Sequence, residues 1–490
     1  MMFFQKKQPN TLSLIVGLLA ISLFTFGCDD DSSSIEDGAT MGGSAGGSAG
    51  GSTGGEPGGE PGGEPGGDTA GDTAGEMGGD TPQEKEYGEI TSDQPHDENP
   101  IITEEAQAEY VSNNQELTFH FHRNIESLQG QNQMLSLWSI RQAFTLLYPG
   151  TSGESQTILG DYFGFDQDVE TALNQTNAVT DQIEALNLEA DEDLELEAVQ
   201  ISVANSIWVQ ESLNILTPYL DQISQYLKAS VYTLDFISRP IESTQVINEW
   251  VEDQTANRIV DLIPQGAISE LTRSVLVNAV YLKAPWLKTF NEDATYSDAF
   301  TLLSGNEVMV DIMHQELEAK HAEVDGTQIV ALPLRGNRLE MVFILPESNE
   351  ELSNLEANLD ASTWNAWKDE LSYRNISVFL PKFSFKTGTV NLSTFLRGDG
   401  LSNLFELSAT IDQILETKHL HISSVVHQTF IAVEEGGVEA AAATAIILDG
   451  VVNEPAPPAE VRFNRPFLFA IHDAQTGMIL FFGRLLNPNE

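Results

Sequence analysis

Apolar positions along this chain change their period several times, and each period predicts an element. A largely apolar run from Leu12 to Phe26 follows Lys6 and Lys7. At about 15 residues it has the length of a signal-peptide core and is short for a membrane span. From Ile102 to Gln129 the positions Tyr110, Leu117, Phe121 and Ile125 repeat at helical spacing, with Thr103 placed to cap Glu104 and Glu105. A second helix opens within Leu135–Ile140. Ile201–Gln210 alternates like a half-buried strand, and Leu276–Trp286 is almost continuously apolar, as in a strand covered on both faces. Near the carboxy terminus the period is two again. Val438, Ala440, Ala442, Thr444, Ile446 and Leu448 share one face, which is apolar apart from the threonine; Glu439, Ala441, Ala443, Ala445, Ile447 and Asp449 share the other. Alanine is a weak strand former and the best helix former, so a surface helix or plain loop fits this stretch as well. Glycines before it and Pro455, Pro457 and Pro458 after it suit a segment that is a loop in one state and a buried strand in another.

Composition divides the chain of 490 residues unevenly. Its formal net charge is −51, and residues 29–100 hold 18 acidic side chains against the single Lys85. Such a surface repels nucleic acid and anionic glycans, which excludes both as partners. Glu-Pro-Gly-Gly repeats begin at Glu56, Glu60 and Glu64, and Asp-Thr-Ala-Gly at Asp68 and Asp72. This composition cannot bury enough apolar surface to fold, so residues 29–100 are expected to be a disordered acidic Gly/Pro-rich linker reaching roughly 45 Å. The expected layout is a signal peptide over 1–28, this linker, and a folded domain over 101–490. Cys28 is the only cysteine, so no intramolecular disulfide can form. Phe26-Gly27-Cys28 resembles a bacterial lipoprotein cleavage site, although Thr25 stands where that motif usually has leucine. Lipidation of Cys28 is expected on that basis; the alternative is an ordinary secretory signal with an incidental cysteine.

Longer motifs give the domain a family. Leu420–Glu435 runs into the small-residue stretch Glu434-Glu435-Gly436-Gly437-Val438-Glu439-Ala440-Ala441-Ala442-Ala443-Thr444, and Phe463-Asn464-Arg465-Pro466-Phe467 follows. Together they resemble the serpin signature, with its hinge. The resemblance covers about residues 102–490. It extends to Asn248-Glu249-Trp250-Val251, Thr255-Ala256-Asn257-Arg258-Ile259, Asn278, Trp286 and Leu380-Pro381-Lys382-Phe383. Departures are Leu137 for the usual proline after Ser136, Leu334 for a tyrosine, Glu340 for a serine, and Gly436-Gly437 within the usual Glu-Gly-Thr run. The resemblance implies an α+β serpin fold with three β-sheets, about nine helices and an exposed reactive-centre loop. It also implies a hinge over Glu435, Gly436, Gly437, Val438, Glu439, Ala440, Ala441, Ala442, Ala443 and Thr444. It places a sheet-opening cluster at Ser136, Ser139, Asn278, Trp286 and His427, with Asn278 bonded to His427.

Enzymatic signatures are missing: Gly-x-Ser-x-Gly occurs only in the linker repeats between Gly42 and Gly54, where no strand-to-helix elbow is expected, and there is no His-Glu-x-x-His and no phosphate loop. His419, His421 and His427 share parity on an expected strand, and Ser423 or Ser424 stands near His427. Yet no oriented acid accompanies them, so neither a metal site nor a hydrolase is expected. No cofactor is expected either.

By resemblance the chain is a suicide inhibitor of serine proteases, with cysteine proteases as a second target class. Counting seventeen residues from Glu435 by the family spacing puts the reactive bond at Val451–Val452, with Leu448 as the alternative because the loop after the bond is about four residues longer than in many members. No Lys or Arg lies between Ile446 and Glu460, so elastase-like or subtilisin-like targets are expected. The alternative is a non-inhibitory serpin acting as carrier or chaperone. The expected protein is a monomer, secreted or anchored to the cell envelope through Cys28.

Overall fold

The computed structural model describes residues 87–191, 194–417, 420–439 and 458–490. The signal, Cys28, most of the linker, His419, Ala440–Thr444 and Val451–Val452 lie outside the described residues.

The sheet that organises the molecule has seven strands. In spatial order they are Gly88–Ile90, Ser230–Leu234, Gln200–Gln210, Ser274–Pro285, Gly437–Val438, Phe430–Val433 and Phe383–Lys386. Gln200–Gln210 runs antiparallel to Ser274–Pro285, from Gln200 opposite Lys283 to Val209 opposite Ser274. The apolar run at Leu276–Trp286 is buried on both faces as its composition requires. Even positions Val280, Leu282 and Ala284 enter the central core. Odd positions Val275, Val277 and Ala279 pack under helix Pro240–Gln254. A second sheet of nine strands is built around the long strand Glu307–Val324, and Val390–Asn391 with Val426–His427 makes a small third. Nine α-helices occur among the described residues, from Glu104–Asn124 to Ser393–Leu396. The architecture is the α+β fold with three sheets that the resemblance implied.

Local details refine the sequence reading. Thr103 caps the first helix by accepting a hydrogen bond from Ala106 N, but the helix stops at Asn124 rather than Gln129 and a 3-10 turn follows. Leu135 ends a strand, and the second helix starts one residue past Ser136, whose hydroxyl accepts from Ser139 N at 3.2 Å. That cap holds the helix start despite Leu137 in place of proline. The expected histidine strand is broken: only Val426–His427 is a strand, and 421–424 has no regular structure. His120 pairs with Asp399 and His122 with Glu356, each at under 3 Å.

The expected start of the domain at residue 101 falls too late. Residues Gly88–Ile90 pair with Ser230–Leu234 as the outermost strand of the main sheet. The edge strand offers an unpaired row of backbone groups, which this short extended stretch satisfies.

Candidate functional site

Among the described residues, strand pairing links Ser274–Pro285 to the stretch Val425–Val433 at two ends, and the interval between those ends is a gap in the pairing, bridged by side chains. One end is the Leu276–Val425 bridge. At the other, Gly437 pairs with Pro285 and Val438 with both Ala284 and Val433. The beginning of the hinge is therefore already a strand inside the sheet.

Its turn is closed by two bonds, Glu434 N to Gly437 O at 3.0 Å and Gly437 N to Glu434 O at 3.1 Å. Trp286 holds the turn twice. Its backbone N donates to Gly436 O and its indole Nε1 to Glu434 O, both at 2.9 Å. Gly437 is required by close approach and by its φ of +150°. A Cβ there would lie 2.5 Å from Pro285 Cα and 2.6 Å from Ala284 O. Gly437 thus keeps the hinge flat against the neighbouring strand.

Charge fixes both ends of the turn. Glu435 is buried, accepts from Thr295 Oγ1 at 2.7 Å and faces Lys382 Nζ at 2.8 Å. Burial alone would raise its pKa; Lys382 and Thr295 outweigh burial and hold it below the usual carboxylate range. Glu439 leaves the sheet with φ +53° and pairs with Arg258 on the loop after helix Pro240–Gln254. Here burial wins over Arg258, Lys283 and Tyr281, and the Glu439 pKa is raised. Of the period-two stretch expected from Val438 onward, the described strand holds Val438, and Glu439 after it has a left-handed backbone; the rest lies outside the described residues.

Midway down the gap lies a buried polar cluster. Asn278 Nδ2 donates to Ser139 O at 2.8 Å and to Asn205 Oδ1 at 2.7 Å. His427 Nδ1 lies 3.2 Å from Asn278 Oδ1, and Ser136 N donates to His427 Nε2 at 3.3 Å. That pattern assigns the proton to Nδ1, and burial drives the His427 pKa down to about 3. Both ring nitrogens are engaged, so His427 has no nitrogen to offer Ser423, Ser424 or a metal. Among the described residues no group of three or more His, Cys, Asp or Glu is placed to hold a metal.

The structure thus brings Ser136, Ser139, Asn278 and His427 together and sets Trp286 apart from them, at the hinge. Sequence reasoning missed Arg258, Thr295, Lys382 and Asn205. Arg258 and Lys382 stood inside motifs that carried the family resemblance; nothing in their spacing tied them to Glu439 and Glu435.

Comparison with known proteins bears directly on this arrangement. A family profile described as Serpin (serine protease inhibitor) matches residues 112–488. The chain belongs to the serpin family. A serpin-like protein of Methanosarcina acetivorans is 32% identical over 74% of this chain and 84% of its own length. A serine protease inhibitor of Cyanea capillata is 31% identical over 73% of this chain and 93% of its own. Among solved structures, Serpin48 of the insect Tenebrio molitor superposes with a TM-score of 0.68 at 26% identity, covering 79% of this chain and all of that one. Serpins are protease inhibitors as a family, and the strand Gly437–Val438 with its neighbours lies in the matched region.

Proposed function

We propose that this serpin traps serine proteases by inserting its cleaved reactive loop into the main sheet. The observation that carries this reading is the pairing of Val438 with Ala284 on one side and Val433 on the other. A strand that has entered by two residues has a defined register for the rest. Continuing it antiparallel from Val438 opposite Ala284 sets Ala440 opposite Leu282, Ala442 opposite Val280 and Thr444 opposite Asn278. The small residues meet the apolar positions. The one polar residue on that face meets the one polar cluster in the gap, which gives a reason for Thr444 in an otherwise apolar row.

In the mechanism a protease serine attacks the loop, with Val451–Val452 as the reactive bond, and an acyl-enzyme forms. Insertion adds a strand, completes backbone pairing across the gap and carries the acylated protease along. An aliphatic loop favours elastase-like or subtilisin-like enzymes. A carrier or chaperone role has less support, because Val438 and the alanines of the hinge are small enough to be buried. The amino-terminal signal and Cys28 support secretion or anchorage at the cell envelope, with the acidic linker as tether.

The test is incubation with a protease panel. A covalent complex stable in SDS, with a released carboxy-terminal peptide beginning at Val452, supports the reading. Cleavage of the loop by every protease, without any complex, supports the non-inhibitory alternative.

A further inference from the structure

The stretch that precedes the first helix does more than join it to the linker. Gly88, Glu89 and Ile90 lie opposite Thr233, Tyr232 and Val231. The chain then runs over two helices. Ser92 Oγ and Asp221 Oδ1 lie 2.5 Å apart, Ser224 Oγ donates to Gln94 O at 2.8 Å, and Asp97 N donates to Gln225 O at 2.8 Å. Asn177 Nδ2 donates to Asp97 O at 2.9 Å. One short strand and these bonds lay the segment along the outer edge of the main sheet.

Tyr87 is placed differently. Its ring meets Trp208 edge-on at 5.2 Å and Tyr232 at 4.9 Å. Both of those rings meet Trp250 at 5.8 Å, and Trp250 Nε1 donates to the Tyr232 hydroxyl at 3.2 Å. Trp208 and Tyr232 belong to the sheet and Trp250 to helix Pro240–Gln254. Tyr87 therefore packs on the two sheet rings that meet Trp250, at the margin of the cluster beneath the helix, and reaches the helix through them.

That helix lies over the gap. Its cluster includes Val277 and Ala279 on one bordering strand and Val426 on the other side. Its following loop crosses the gap: Arg258 holds Glu439 and lies over the Phe430 ring at 5.6 Å, and Lys386 Nζ donates to Val260 O at 2.7 Å. A new strand entering between Ser274–Pro285 and Phe430–Val433 must place alternate side chains beneath this helix and loop, so they have to lift.

We propose that residues 87–97 form a strap that holds helix Pro240–Gln254 down on the main sheet and sets how readily the sheet opens. Tyr87 is its positioning residue. The consequence for trapping rests on the insertion reading given above; the effect on the helix does not.

The experiment compares full-length wild type, Tyr87→Ala and Tyr87→Phe by amide hydrogen exchange. Tyr87→Ala is expected to raise exchange in Pro240–Gln254 and Ser230–Leu234 by about fivefold to tenfold, the effect of losing two edge-on ring contacts. Helix Glu104–Asn124 keeps wild-type protection, and Tyr87→Phe keeps it everywhere. Unchanged exchange in Pro240–Gln254, or an equal rise in every helix, overturns the strap. A second arm follows insertion after a single cut in the loop, read as the rate at which thermal stability rises. Faster insertion in Tyr87→Ala is expected. A local rise in exchange with no insertion in any variant would keep the strap and remove the insertion reading instead.

Discussion

His427 Nδ1 sits 3.2 Å from Asn278 Oδ1, a hydrogen bond spanning the line along which the main sheet would part. Its other nitrogen accepts from Ser136 N, so a second ring proton would face a donor. Burial lowers the His427 pKa to about 3, against about 6.5 in an unfolded chain. Between those values the unfolded state binds the extra proton, so stability rises with pH there and is lost as pH falls from about 6.5 toward 3. At pH 5 the histidine should cost about 2 kcal/mol relative to neutral pH. His427→Asn should be less stable at pH 7.5 and should show a flatter loss between pH 7 and pH 5 in urea titrations. Parallel curves for the two proteins would show that His427 does not control the acid response.

Gly437 sets a second expectation. With φ +150° and a Cβ position 2.5 Å from Pro285 Cα, alanine cannot sit there without moving the hinge or the strand. Such backbone strain costs about 1–3 kcal/mol, more than two residues of strand pairing return. Gly437→Ala should withdraw Gly437–Val438 from the sheet. The readout is faster hydrogen exchange at Trp286 N, whose bond to Gly436 O would be lost, together with altered Trp286 fluorescence. Gly436→Ala, whose neighbour makes the close approach, is the control.

Arg258 and Glu439 offer a third. Glu439 is mostly shielded while Arg258 is half exposed, so solvent screens much of the pair. A double-mutant cycle with alanine at both positions should give a coupling of about 1 kcal/mol, falling with added salt. Glu439→Gln should keep most of the fold stability, because burial already disfavours the charged form. A coupling near zero would mean that the loop after helix Pro240–Gln254 does not restrain the hinge.

What the sequence disclosed follows physical lines. Strand Ser274–Pro285 was legible because burial on both faces demands an unbroken apolar run. The first helix was legible from its stripe and from Thr103, but its end was not, since Ile125 and Leu128 continue the apolar pattern into a 3-10 turn. The Asn278–His427 bond came through resemblance; no local pattern joins residues 149 apart. The ion pairs Lys382–Glu435 and Arg258–Glu439 were invisible for the same reason. The strap was hidden because Tyr87–Pro100 shares the linker's polar composition, and its order comes from a sheet edge more than a hundred residues away.

Side-chain parity in the hinge gives the sharpest expectation. Val438 is buried in the central core, while Glu439 turns to Arg258 on the helix side. If the strand continues in this register, Ala440 and Ala442 follow Val438 into the core and Ala441 follows Glu439 outward. Ala442→Arg would then bring an unpaired cation opposite Val280, and such a group costs several kcal/mol. Insertion slows while attack on the reactive bond does not, so deacylation wins and the inhibitor becomes a substrate. Ala441→Arg should do much less, because its side chain emerges on the side of the helix and loop, which have to lift during insertion, and not in the central core. The measurement is the stoichiometry of inhibition of each variant against one protease that wild type traps. It should rise strongly for Ala442→Arg and stay close to wild type for Ala441→Arg. Equal failure of both variants would refute the register set by Val438 and Ala284, and full trapping by both would remove insertion as the mechanism.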